Sequence, residues 1–131
     1  MKFWQSISFS EIDQYVEIAK IAEEVGFEGA FISDHLVFPD RFESRYPYSE
    51  DGKPDFDGST QWPDCFAAIS AMAVATTRLR FATLIHILPL RHPFEVAKSV
   101  ATASVLSGGR VALGAGAGWV REEFDMLGVE F

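Results

Sequence analysis

The sequence predicts an α/β fold, built from about four β-α units on a parallel sheet. Three observations predict it. Short apolar runs alternate along the chain with segments whose apolar residues recur at helical spacing. The apolar runs show no polar-apolar alternation, as expected of strands covered on both faces. Glycine, proline or a capping residue opens or closes each helical segment. Strands alternating with helices pair in parallel through crossover connections. Two architectures satisfy that order, a small doubly wound sheet or part of a (β/α)8 barrel. A whole barrel takes roughly 250 residues, so four units in 131 residues amount to about half of one.

The elements follow in order. Residues 2–7 read as a first strand. Ser10 is placed as a helix N-cap, with Asp13 three residues on as a weak capping box. Ile12, Tyr15, Val16, Ala19, Ala22 and Val25 give the buried face of that helix, and Gly26 stops it. Residues 30–33 form a buried second strand. From Leu36 to Trp62 the chain is irregular, broken by Pro39, Pro47 and Pro54 and by two Asp-Gly pairs. Its aromatics (Phe38, Phe42, Tyr46, Tyr48, Phe56, Trp62) argue against disorder. Long loops of this kind are usually functional, so residues 36–62 are read as a lid or substrate loop, the alternative being a locally packed surface insertion.

Pro63 and Asp64 open a second helix that runs to about Thr77. Residues 79–88 form a third strand, an almost unbroken apolar run. Pro93 opens a third helix with Glu95 behind it, and Gly108-Gly109 ends it. Val96, Ala97, Val100, Ala101, Val105 and Leu106 are its apolar face. Residues 111–113 are the fourth strand, followed by a glycine-rich turn and a helix start at Glu122-Glu123.

Composition excludes several classes. Hydrophobic residues make up 48% and charged residues 23%, the balance of a globular domain with its own core, so residues 1–131 are treated as one partial domain. A net charge of −8, with the Lys and Arg scattered, argues against a nucleic-acid partner. No basic amphipathic helix suggests a membrane surface. No apolar stretch approaches the roughly 20 residues of a membrane span, and Met1-Lys2 leads into no signal-peptide pattern. The single cysteine, Cys65, excludes an internal disulfide and a cysteine-based metal site. No metal is expected, and the location expected is the cytoplasm.

Few segments can carry chemistry. Ser33-Asp34-His35 sits at the C-terminal end of strand two, where parallel α/β folds collect catalytic groups. His35 can move a proton near neutral pH, and Asp34 can orient it or bond a ligand. The plainer alternative has Asp34 capping the loop and His35 merely packing. His86 lies near the C-terminal end of strand three, where a satisfied core histidine is the commoner outcome. Arg91 can meet an anionic group and His92 can cap helix three, or both belong to a rigid turn. The glycines at 114, 116 and 118 allow close backbone approach to a flat ligand. They match neither the G-x-G-x-x-G dinucleotide pattern nor a phosphate loop. For Glu122 and Glu123 the helix dipole alone is a sufficient reason. Hydrolase and zinc motifs are absent.

Together, Gly26 to His35, Leu88 to Pro93 and Leu106 to Trp119 resemble the luciferase-like monooxygenase superfamily over essentially the whole chain. The Ser-Asp-His after strand two is more similar to members that use the deazaflavin coenzyme F420 than to FMN-dependent luciferases. The resemblance implies the barrel architecture, with these residues as its first four βα units, and an isoalloxazine ring at the C-terminal mouth. It implies that Asp34 and His35 lie near the reactive edge of that ring. It further implies a bulge with a non-prolyl cis peptide near Leu84-Ile85, behind the ring and beside His86. Gly116 and Gly118 would lie by the ring, and Glu122 matches a polar cofactor contact. In the sugar-phosphate dehydrogenase branch a catalytic glutamate follows the glycine turn. Trp119 stands at the matching place here, which argues against that substrate class.

The activity implied is hydride transfer between reduced F420 and a small organic substrate, with His35 managing the proton and Asp34 holding the cofactor edge. The rivals are an FMN-dependent monooxygenase of the same fold, a half-barrel fragment or oligomeric scaffold without activity, and a small doubly wound binding domain. Relatives carry strands five to eight and place their phosphate-binding loops there. The expectation is therefore that these 131 residues are a fragment, or that copies associate as a homo-oligomer to cover exposed apolar edges.

Overall fold

Four parallel strands lie side by side in chain order in the computed structural model, which describes residues 1–131. They are β1 (Trp4–Ser6), β2 (Gly29–Ile32), β3 (Arg80–Thr83) and, after a short β4 (His86–Ile87), β5 (Val111–Ala112). The main sheet runs β1-β2-β3-β5. A short β6 (Ala115–Gly116) continues the fourth strand and pairs with β4 in parallel. Four helices follow the strands: α1 (Tyr15–Glu24), α2 (Cys65–Val74), α3 (Pro93–Ser107) and α4 (Arg121–Leu127). Each new strand is added on the same side of the last. A doubly wound sheet reverses direction at a switch point, and no reversal occurs here. This is the wall of a barrel.

The register shows which side is filled. Ala30, Phe81 and Val111 stand in one row and face the helices. With Ile32 and Leu79 they pack against Ala19 and Ala22 of α1, Ile69 and Met72 of α2, and Ala103 of α3. The neighbouring row is Ser6, Phe31, Ala82 and Ala112. It points to the concave side, where a barrel's interior layers belong, and all four residues are exposed or half-buried.

Several boundaries differ from the sequence reading. Ser10 caps nothing; a single 3-10 turn over Ile12–Gln14 precedes α1, and Glu11 at its start makes no side-chain cap. Asp64 caps α2 as expected, accepting from the Ala67 amide at 2.7 Å, but the helix ends at Val74. His92 caps α3 and Gly108 ends it in the left-handed conformation. The apolar face assigned to α3 was too wide: Val96 and Ala103 are buried, whereas Val105 is 81% exposed. Val100 packs against the core from a half-buried position.

Strand three is not continuous. The Leu84–Ile85 peptide is cis, at the place the resemblance implies, and it separates β3 from β4. Strand four breaks at the same level, at Gly114. The Thr83 hydroxyl bridges the gap, donating to the Gly114 carbonyl at 2.8 Å and accepting from its amide at 3.1 Å. A side-chain carbon on Gly114 would collide with the Thr83 carbonyl, so only glycine fits there.

Candidate functional site

The turn after β2 is held before any chemistry begins. The Ser8 hydroxyl accepts from the Ser33 amide at 2.8 Å, and the Ser33 hydroxyl donates to the Leu84 carbonyl at 2.9 Å. This fixes where Asp34 and His35 leave the strand. Both are buried, at 4% and 6% exposure.

His35 pairs with Glu123 of α4, Nδ1 to Oε2 at 2.9 Å. Glu123 is fully buried. Its other oxygen accepts from the amides of Leu36 and Val37 at 2.7 and 3.2 Å. A carboxylate held by two amides and a ring N–H has the partners a buried charge needs. Its bond to Nδ1 fixes the tautomer and leaves Nε2 as the nitrogen available to a bound molecule. Around the imidazole stand the rings of Trp62 at 4.7 Å, Phe38 at 5.0 Å and Phe56 at 5.8 Å, with Trp119 at 6.2 Å.

Asp34 turns to a different set of partners. Arg91 grips it with both terminal nitrogens, at 2.7 and 2.8 Å, and the Ile87 amide donates to it at 3.0 Å. Its carboxylate is therefore largely occupied within the protein. His86 Nδ1 lies 3.2 Å from Asp34 but off the line of a hydrogen bond, so both ring nitrogens are buried without a partner. Burial lowers the His86 pKa and Arg91 adds to this, while Asp34 opposes it. The Cys65 thiol approaches Asp34 at 3.8 Å. Burial, then the Asp34 charge, push its pKa up, so it stays protonated. Asp34, Cys65 and His86 bring one donor atom each within 4.8 Å of one another. A carboxylate committed to arginine and a protonated thiol make a hydrogen-bonding cluster rather than a ligand set.

A cavity of about 200 Å³ opens at the C-terminal ends of the strands, where barrel sites form. Of the residues that the resemblance places at the cofactor, Asp34, His35, Leu84, Ile85 and Gly118 line it. Three do not. His86 faces a separate cavity of about 290 Å³ beside Phe66 and α3. Gly116 serves packing, because an added Cβ would meet the Ile85 side chain. Glu122 accepts from the Glu43 and Ser44 amides and the Ser44 hydroxyl, and so ties down the long loop. Partial burial raises its pKa, but the Ser44 hydroxyl and these amides more than offset that, leaving it at about 2. The tie therefore holds fully above the ordinary carboxylate value of 4.5 and is lost as pH falls through about 2.

Glu123 is the functional candidate that sequence reasoning missed. A glutamate in the first turn of a helix already has a reason to be there, and its partner is 88 residues away in the chain. The local signal was silent.

The comparisons with known proteins agree with this fold. An uncharacterized protein of Mycobacterium tuberculosis is 34% identical over 131 residues, all of this chain and 46% of that protein. An F420-dependent glucose-6-phosphate dehydrogenase of Amycolatopsis mediterranei is 33% identical over 117 residues, 88% of this chain and 30% of the dehydrogenase. The oxygenating constituent of 3,6-diketocamphane monooxygenase from Pseudomonas putida, solved with FMN, superposes with a TM-score of 0.73 at 23% identity over 98% of this chain and 32% of that one. The F420-dependent tetrahydromethanopterin reductase of Methanopyrus kandleri gives 0.67 at 26% identity, over 99% of this chain and 30% of that one. The chain thus spans about half the length of the mycobacterial relative that it matches along its whole length, and about a third of these solved structures. The family model for luciferase-like monooxygenases matches residues 3–131, and the chain belongs to that family.

Proposed function

We propose that this chain forms the proton-handling wall of an F420-dependent hydride-transfer site, with His35 as the proton donor. The observation that carries the reading is the buried His35–Glu123 pair, which aims one imidazole nitrogen at an apolar cavity. A histidine held this way suits general acid-base work. When bound, reduced F420 supplies a hydride, that is two electrons, to an electrophilic carbon of the substrate. His35 delivers the matching proton from Nε2 to the adjoining heteroatom, and the ring that remains is neutral, with Nδ1–H still held by Glu123. Asp34 acts through Arg91 and the Ile87 amide, fixing the β4 segment against the turn after β2. Leu84, Ile85 and Gly118 offer an apolar wall, and the aromatic loop excludes water.

The residues present fit the flat ring of a deazaflavin. Leu84 is 53% exposed at the cavity, an apolar side chain available for stacking. They do not provide for a charged cofactor tail, since no Lys or Arg lines this cavity. The 33%-identical relative named as F420-dependent supports F420 over FMN. The FMN-bound structure, at 23% identity, speaks for the fold alone.

Fluorescence titration of the protein expressed from its whole gene, with F420 and FMN in parallel, tests the reading. Saturable binding of F420 at lower concentration than FMN is expected, and tighter FMN binding overturns it. In the same protein, His35→Ala should lower turnover by ~100-fold or more with the circular dichroism spectrum preserved. Unchanged turnover removes His35 from the mechanism.

A further inference from the structure

We infer that the site takes an uncharged, largely apolar carbonyl compound, an aromatic or alicyclic ketone or aldehyde, rather than a phosphorylated or carboxylated substrate. This rests on the hydride-transfer reading above.

The first observation is the wall around His35. Phe9, Tyr46 and Phe56 close on it together with Trp62 and Trp119. Phe9 stacks on Phe56 at 5.6 Å, Phe56 meets Trp62 at 5.2 Å, and Tyr46 meets Trp119 at 5.1 Å. Such rings favour a flat or compact apolar body.

Charge placement is the second observation. The only charged side chain lining this cavity besides His35 is Asp34, and Arg91 already pairs with it. None of the long loop's three cations lines this cavity: Arg41 is exposed, and Arg45 and Lys53 line a different cavity of about 420 Å³, among Glu43, Asp51 and Asp57. A phosphate or carboxylate brought to His35 would lose its water and find no Lys or Arg from this chain, and Glu123 already faces the His35 ring with a negative charge, so the transfer is costly. A carbonyl oxygen asks only for a donor.

The third observation is an orphan donor. The indole N–H of Trp62 is buried without a partner, in the ring that stands 4.7 Å from His35. Buried donors are seldom left unpaired; the ring that carries this one lines the cavity, where a carbonyl oxygen would suffice as its acceptor.

The step balances. The hydride of the reduced deazaflavin forms the new C–H bond, the carbonyl π bond breaks, and its electron pair takes the His35 proton as O–H. The carbonyl is reduced to an alcohol by two electrons and the deazaflavin is oxidised by two.

A matched pair of probes tests this: acetophenone and 4-acetylbenzoate share the reacting carbonyl and differ in charge. Consumption of reduced F420 is followed with each, using the protein from its whole gene. The neutral ketone should be preferred by ~100-fold in kcat/KM. Equal or better use of the carboxylate overturns the substrate class and leaves hydride transfer standing. If neither probe oxidises reduced F420, the hydride-transfer reading fails. Quenching of tryptophan fluorescence without cofactor then decides the present inference: tighter binding of acetophenone supports it, and equal or absent binding overturns it. Tyr48 lines the cavity yet is 82% exposed, so Tyr48→Lys leaves the core intact. That variant should narrow the gap between the probes, and an unchanged ratio counts against the inference.

Discussion

His35 depends on Glu123 for its orientation, and a single-atom change separates that role from packing. Glu123→Gln keeps the volume and can still accept from the Leu36 and Val37 amides. It removes the negative charge facing Nδ1 and allows an amide to present its N–H there instead. We predict that kcat falls by ~10-fold or more and that the pH-rate profile moves. A purely structural glutamate would change the melting temperature and leave the profile in place. The residues around this pair differ in how legible they were. Ser33-Asp34-His35 stood out, because a polar triplet ends an apolar strand at the end where parallel α/β folds collect catalytic groups. For Arg91 the sequence leaves an anionic partner and a rigid turn both open, and the anion it meets is Asp34 of the protein itself. Glu122 and Glu123 look alike in the sequence and differ wholly in place: one ties down an outer loop, the other is buried under His35. Nothing local distinguishes two adjacent glutamates on a helix start. Only their distant partners do.

Among the elements, the junction of α2, α3 and β3 depends on one side chain. Arg110 donates to the carbonyls of Ser107, Leu79, Ala73 and Thr76, and its guanidinium lies 5.7 Å from the centre of the Phe81 ring. It closes the ends of two helices and the start of a strand at once. Arg110→Ala leaves those carbonyls without their donor, and a loss of about 3 kcal/mol is expected by denaturant unfolding. Arg110→Lys should recover only part of it, because a compact ammonium cannot span four carbonyls; full recovery would show that charge alone suffices. The order and type of elements were legible, since apolar runs, Asp64, Pro93 and the glycine stops all act locally. The breaks in strands three and four were not legible from the pattern. Residues 79–88 are an almost unbroken apolar run, and the interruption depends on how Thr83 reaches Gly114 across the sheet. Helix three misled in the opposite way, because its apolar residues run around the cylinder and its buried stripe is narrower.

For the molecule as a whole, the helix side is finished and the concave side is open. The row Ser6, Phe31, Ala82 and Ala112 has no cover. An apolar groove of about 540 Å³ runs between α3 and the fourth strand, lined by Leu88, Pro93, Val100 and Leu113. Apolar surface of this kind favours association. Residues 1–131 expressed alone should therefore run as dimers or larger species in light scattering, and a monodisperse folded monomer would contradict this. The half-barrel architecture was legible from the count of β-α units and from the resemblance together. Its distinction from a doubly wound sheet needed the strand order, which pattern does not carry.

The long loop from Leu36 to Trp62 is stitched at intervals. Glu122 holds it at Glu43 and Ser44, the Tyr46 amide closes on the Gly52 carbonyl, and Gln61 accepts from the Ile12 amide. Each stitch divides one long free segment into shorter ones whose wandering is already curtailed. The entropy of gathering the loop around a ligand is then largely spent during folding. A visiting molecule meets walls that are already assembled, and more of its contact energy remains as affinity. Preorganisation of the aromatic chamber is thus aided from outside it, by Glu122 and Gln61, which do not line it.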